Sequence, residues 1–313
     1  MIDTIAIKNH YPALPLDERF LMGRGWKVSS RSNLLTWVRN GQKGSNLPRL
    51  TLTVTPNATV HLRAEVSLPK LMFGNNVRLP DESELSSGLA QIADYVRQES
   101  GFAFDAATAR VSRVDFTKDF QVGEERVIPI ITALSRKTIS RHDRTAYNDD
   151  SLYFRSRGKT KEICIYSKSH EVIADKSNLQ DVIEMSRGLL RVECSFLNAK
   201  AVNALAERLK LPNRSVGSLI NQSVADAVFA EVEAKLQIAS FGDGGDSETT
   251  LLNLIALYGS RRAMRLVGFA VFKQTFGQYF FKNNSIGISK DAYYRDAADW
   301  RKASVSMALE LLE

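Results

Sequence analysis

No apolar run in this 313-residue chain approaches the roughly 20 residues that a membrane-crossing helix needs. No membrane partner is therefore expected. The first residues, Met1-Ile2-Asp3-Thr4-Ile5, lack the basic flank and apolar core of a signal peptide. Only two cysteines occur, Cys164 and Cys194, both in runs that read as internal strands. That excludes a disulfide framework and fits a reducing cytoplasm. Of four histidines, His142 and His170 are badly spaced for a structural zinc site. No glycine-rich loop of the kind that cradles a nucleotide is present, so chemistry driven by ATP is not expected.

What is present is an ordinary globular composition, 44% hydrophobic and 25% charged, at a length that suits about two domains. The net charge is +7. Residues 249–302 hold nine Lys or Arg against three acids, so the excess is concentrated near the C-terminus. A basic segment on a near-neutral body suggests a polyanion, most simply nucleic acid. The bland alternative is a solvated face that aids solubility.

Hydrophobic periodicity gives a coarse order of elements. Residues 1–8 read as a short strand, and 9–48, rich in Pro, Gly, Ser and Asn, as loops. Leu50–Thr55 and Thr59–Ser67 alternate around Pro56-Asn57 as a hairpin. Asp81 can cap a helix carrying Leu85, Leu89, Ile92 and Val96. A strand over Ala109–Phe120 precedes a helix over about Glu124 to Ser140, with Pro129 near its first turns. Ser151–Ser156 and Lys161–Lys168 form a second hairpin across Arg157-Gly158. A helical segment between about Ser169 and Met185, a strand Gly188–Leu197 and a helix Ala199–Lys210 follow. The order strand–strand–helix–strand–helix thus occurs twice, each final strand carrying a similar phrase, Arg113-Val114-Asp115-Phe116 and Arg191-Val192-Glu193-Cys194. The pattern implies an α+β fold built on an antiparallel sheet, duplicated from a ferredoxin-like unit. An amphipathic helix over 221–240 closes a body of residues 1–240. Residues 241–248, rich in glycine, read as a linker, and 249–313 as a small helical domain with a helix-turn-helix layout.

Two groups of residues carry possible chemistry. On Lys161–Lys168, Ile163 and Ile165 face one way, and Glu162, Cys164, Tyr166 and Lys168 the other. A phenol with pKa near ~10 is a poor nucleophile unless a positive charge helps it. Lys168, one step along, could supply that help, and Glu171 follows. The plainer reading is a packing tyrosine with a wet hydroxyl. Asp115 shares a face with Arg113 and Thr117, and Glu193 with Arg191 and Ser195. If the two strands are neighbours, the carboxylates meet and call for a hard divalent cation, Mg²⁺ or Mn²⁺. The alternative is two Arg–carboxylate pairs on a solvated sheet face.

Five phrases occur in a telling order: Met1-Ile2-Asp3; Ser67 to Asn76, reading SLPKLMFGNN; Ser112-Arg113-Val114-Asp115; Tyr166-Ser167-Lys168-Ser169-His170-Glu171; and Leu190-Arg191-Val192-Glu193. In these the chain resembles the replication initiators of filamentous phages, the gene II and gene X family, and their plasmid relatives. The resemblance covers most of residues 1–200 and, more loosely, 259–302. It implies a relative of the HUH endonuclease fold in which acidic residues replace the histidine pair. It implies Tyr166 as nucleophile and Asp115 and Glu193 as metal ligands. Glu171 could be a third ligand, a general base or a partner for Lys168. Asn75 stands where some members carry histidine.

The expected activity is therefore a metal-dependent, site-specific nick of one strand of a replication origin. A 5′-phosphotyrosyl intermediate would conserve the bond energy for later rejoining. Lys70, Arg261, Arg262, Tyr294, Arg295 and Arg301 are the expected DNA contacts, with Tyr294 and Arg295 on a last helix that begins after Ser289. Duplex and single-stranded origin DNA, a host helicase and a polymerase are the expected partners. Two other classes fit the same residues. One is a non-catalytic DNA-binding regulator; the other is a nuclease in which the carboxylates activate water.

Overall fold

The computed structural model describes residues 1–12, 16–29, 34–41, 45–57, 59–135, 137–175 and 180–236. The expected linker 241–248, the helical domain 249–313 and the contacts Arg261, Arg262, Tyr294, Arg295 and Arg301 lie outside these residues. The chain divides into two units. One comprises Met1–Asp119 and Gly123–Val232; the other takes in Phe120–Val122 and the chain from Glu233 onward.

In chain order the elements begin with β1 (Ile2–Tyr11), α1 (Glu18–Gly23), β2 (Lys27–Ser29), β3 (Leu35–Arg39), β4 (Arg49–Val54) and β5 (Val60–Ser67). Next come α2 (Leu68–Phe73), α3 (Leu85–Ser100), β6 (Arg110–Gln121), α4 (Glu124–Leu134), β7 (His142–Tyr147), β8 (Ser151–Ser156) and β9 (Lys161–Ser167). Then follow α5 (Lys168–Ala174), α6 (Gln180–Ser186), β10 (Leu189–Phe196), α7 (Ala199–Arg208), α8 (Val216–Leu219) and α9 (Gln222–Leu236). Among the described residues the fold is mixed α+β with one large sheet. Its ten strands lie in the order β2-β3-β4-β5-β1-β6-β10-β9-β8-β7. The pairs β2–β3–β4–β5–β1–β6 and β10–β9–β8–β7 run antiparallel, and the two runs meet where β6 adjoins β10.

Period-2 alternation gives the sheet one apolar and one polar face. On β5, Val60, Leu62, Ala64 and Val66 are buried and the residues between them are half-exposed. Ile5 and Ile7 on β1, Val111, Val114 and Phe116 on β6, Ile163 and Ile165 on β9, and Val192 and Cys194 on β10 continue the apolar face. Helix α4 packs on β8, β9 and β10, and α7 on β10. They bury Val127, Ile130, Ile131 and Leu134, and Val202 and Leu205. Cys164 and Cys194 are both buried and form no disulfide, and their positions on paired strands place them on opposite faces.

Three expectations are corrected. Residues 9–48 are not all loop: they hold α1, β2 and β3, and Trp37 on β3 is only 1% exposed. The helix expected over Glu124 to Ser140 ends at Leu134, with Ser135 as its cap, and Pro129 sits inside it. Lys168 is not on the strand: Ser167 ends β9 and caps α5, its side chain accepting from the His170 backbone N–H. Both expected hairpins are present, as are the strands around Asp115 and Glu193. Asp81 accepts from Glu84 N–H at 3.0 Å, four residues before α3 begins.

Candidate active site

The polar face converges near the junction of the two antiparallel runs. β9 and β10 pair so that Tyr166 faces Arg191 and Cys164 faces Glu193. Tyr166 and Glu193 are therefore diagonal neighbours on one face, and the Tyr166 hydroxyl donates to Glu193 Oε1 at 2.7 Å. Burial pushes the Tyr166 phenol well above its ordinary value, and the Glu193 carboxylate adds to the shift. Glu193 itself is raised to about 7, first by burial, then by Asp3, with Asp115 adding to it.

Asp115 lies on β6, next to β10. Both its oxygens are engaged by Arg113, Nε to Oδ1 at 3.2 Å and Nη2 to Oδ2 at 2.7 Å, and Ser195 hydrogen-bonds to it as well. Burial still raises its pKa, and Asp3 contributes. Asp3 comes from β1 and accepts from Ser67 Oγ at 2.6 Å. Three strands thus bring three carboxylates within electrostatic reach of one another. As they stand, no group of three or more His, Cys, Asp or Glu among the described residues is placed to hold a metal ion. By chemistry the donor set is of the kind a hard divalent cation takes: buried carboxylate oxygens, with Asp3 disfavouring the charged forms of Asp115 and Glu193. Ligation by Asp115 would require it to turn away from Arg113.

Lys168 is fully buried. Its Nζ donates to Glu171 Oε2 at 2.5 Å and lies 5.8 Å from the centre of the Tyr166 ring. Burial lowers its pKa, and Arg191 lowers it further. Glu171 Oε1 accepts from Asn76 Nδ2 at 3.5 Å. The SLPKLMFGNN phrase explains itself here. Ser67 ends β5, Leu68–Phe73 is helical, and Gly74 takes the left-handed backbone (φ 77°) that closes α2. The chain then lays the Asn76 and Val77 carbonyls against Arg191. Asn75 is half-buried and bonds within this loop, its Oδ1 accepting from Val77 N–H at 3.0 Å. Lys70 sits half-buried in the last turn of α2.

Two residues that the sequence reading gave no role belong to this centre. Asp3 was visible only as part of a phrase; nothing in its local pattern shows that β1 would lie between β5 and β6. Asp119 holds the fully buried Arg191 through two bonds, at 2.6 and 2.7 Å. Its signal was the Asp115–Thr117–Asp119 alternation on β6. Tyr153, on the same face of β8, stands opposite Cys164.

Compared with protein families, residues 22–215 match the N-terminal region of the replication-associated protein of gene II type. The match takes in Asp115, Tyr166, Lys168, Glu171 and Glu193 and covers well over half of the chain. No curated protein sequence matches. The chain belongs to this family of gene II type replication-associated proteins.

Proposed function

We propose that this replication-associated protein opens one strand of a DNA replication origin, with the Tyr166 oxygen as the attacking group. The observation that carries this reading is the 2.7 Å hydrogen bond from Tyr166 to Glu193, a carboxylate whose pKa of about 7 suits it to accept a proton near neutrality. In the step, the Tyr166 Oη–P bond forms and the P–O3′ bond breaks. The tyrosine proton goes to Glu193 and the released 3′ oxygen takes up a proton. The products are a 5′-phosphotyrosyl protein and a 3′-hydroxyl able to prime synthesis, and reversal rejoins a strand without ATP. Lys168 places a positive charge beside the developing phenolate, and Arg191, opposite Tyr166, adds another.

Asp3, Asp115 and Glu193 are the residues that would hold Mg²⁺ or Mn²⁺. Bound there, the cation would neutralise the cluster and polarise a phosphate oxygen. A host helicase and a polymerase remain the proposed protein partners, since the freed 3′ end calls for both. The HUH-related, duplicated character of the body belongs to the same proposal. It is supported by Ser67 and Ser167, each ending a strand and standing at the N-cap position of a short helix beside the site.

One observation favours a second reading. A phenol pushed upward by burial is a better hydrogen-bond donor than a nucleophile. Tyr166 would then hold Glu193 while water attacks. The test is a denaturing gel with a labelled origin strand, with and without Mg²⁺ or Mn²⁺. A covalent protein–DNA product that disappears in Tyr166→Phe supports the first reading. A nick with no protein attached supports the second.

A further inference from the structure

Along β1 the polar face changes sign. Asp3 lies at one end; Lys8 and His10 lie toward the other. Lys8 stands directly opposite Arg63 on β5 and Arg110 on β6. Arg110 bridges to Ser215, which brings Arg214 beside it, and Val111 N–H donates to the Arg214 carbonyl at 2.8 Å. His10 and His61 face each other across β1 and β5, with their Nδ1 atoms hydrogen-bonded and ring centres 4.4 Å apart. Arg63 is answered by Glu65 at 2.7 Å. Lys8, Arg110 and Arg214 form no ion pair with a carboxylate among the described residues; Arg214 reaches only the Ala199 carbonyl, at 3.4 Å. A cavity of about 400 Å³ opens beside them, lined by Arg110, Arg214, Asn203, Asn213 and Ser215, with Glu207 as its one acid.

Like charges directly opposite on neighbouring strands destabilise a sheet. The strain shows in the groups themselves. Burial lowers Lys8, His10, His61 and Arg214, and neighbouring cations lower each further. Concentrated, accessible and unanswered positive charge suits a ligand that carries several negative charges in a row. Strands spaced ~4.8 Å apart make the row of Lys8 and Arg110, continued by Arg214, longer than one phosphate. The row and Tyr166 share the polar face. Five steps along β1 lead from Asp3 to Lys8, a span of ~17 Å. A positively charged surface that tracks a backbone is how single strands are held without regard to sequence.

We propose that Lys8, Arg110 and Arg214, with the His10–His61 pair beside them, bind the phosphate backbone of the single strand that runs to Tyr166. The assignment of the strand rests on the reading of Tyr166 as the reacting group; the anion-binding surface itself does not. The test is fluorescence anisotropy with the full chain and a short labelled oligothymidylate, titrated over a salt series. Lys8→Gln/Arg110→Gln/Arg214→Gln is compared with a control that removes equal charge elsewhere, Arg24→Gln/Lys27→Gln/Arg97→Gln. Losing three phosphate contacts should weaken binding at least tenfold at low salt and make the log–log salt slope shallower by about 2, at roughly 0.7 per contact. The control should keep the wild-type slope. Should the triple variant fail to fold, Arg214→Gln alone should lose about 0.7 of slope. Wild-type affinity and slope in these variants overturn the proposal. Equal loss on a duplex of the same length overturns the single-strand assignment. If the triple variant loses binding while the wild type forms no covalent product on any strand, the surface stands and the nucleophile reading falls. If the wild type forms the product and the triple variant binds normally, the reverse holds.

Discussion

Tyr166 and Glu193 divide one proton between a phenol that burial raises and a carboxylate that burial raises too, and that sharing sets the pH behaviour. A carboxylate whose native pKa is about 7 holds its proton more tightly folded than unfolded, where the ordinary value is near ~4.3. Its contribution to stability is complete below the unfolded value and is lost as pH rises through 7. Wild-type protein should therefore lose melting temperature between about pH 4 and 7 relative to Glu193→Gln, in differential scanning calorimetry without divalent ions. Adding Mg²⁺ or Mn²⁺ should restore stability to the wild type at pH 8 and much less to the variant. A bound cation favours the charged carboxylate, so covalent product formation should rise with pH at values below 7, and Glu193→Gln should lower its rate by about 10² to 10⁴. Tyr166→Phe should abolish the product while keeping fold and DNA affinity; wild-type product levels in that variant would return the ring to a packing role. At this scale the sequence was informative about residue types and faces. Tyr166, Asp115 and Glu193 could be placed on polar strand faces by alternation alone. It was silent on Asp3 and Asp119, whose positions depend on which distant strands become neighbours.

Arg191 illustrates what an element adds. It is fully buried on β10, bonded twice to Asp119 on β6 and to the carbonyls of Asn76 and Val77, so it ties the GNN loop, β6 and β10 together behind the site. Asp119→Ala leaves that guanidinium buried without its partner and should cost about 3–5 kcal/mol in urea unfolding. An effect below 1 kcal/mol would mean that water reaches the pair. Trp37→Ala on β3 should cost about 3–5 kcal/mol as well, by cavity formation. The strands that carry long alternation, β5, β6, β9 and β10, could be read from sequence. β3 could not, because Leu-Thr-Trp-Val-Arg offers five residues between Ser/Asn and Gly-rich stretches. β7 could not either: five of its six residues are exposed, and it is held by main-chain pairing to β8 rather than by an apolar face. Lys168 was misplaced for a local reason, since Ser167 turns the chain from strand into helix one residue earlier.

Across the molecule, the candidate reacting groups all lie before residue 200 and the densest basic segment after residue 248. Residues 1–240 alone should therefore still cleave a single-stranded origin oligonucleotide but lose most affinity for duplex origin, measured by electrophoretic mobility shift. A soluble truncation that binds duplex origin as well as the full chain would assign duplex recognition to the body. The place of β1 in the sheet carries a consequence for how the protein is made. It sits between β5 and β6, and Ser112 Oγ donates to the Ala6 carbonyl across 106 residues of chain. A ribosome releases β1 long before β6, so one of its edges has no partner until β6 emerges. Closing so long a loop is slow, and an unpaired strand edge invites association with other chains in the interval. Yield at high expression should thus be governed by the time between synthesis of β1 and β6, and a slower rate of translation through residues 68–109 should lengthen the exposure and lower the soluble fraction.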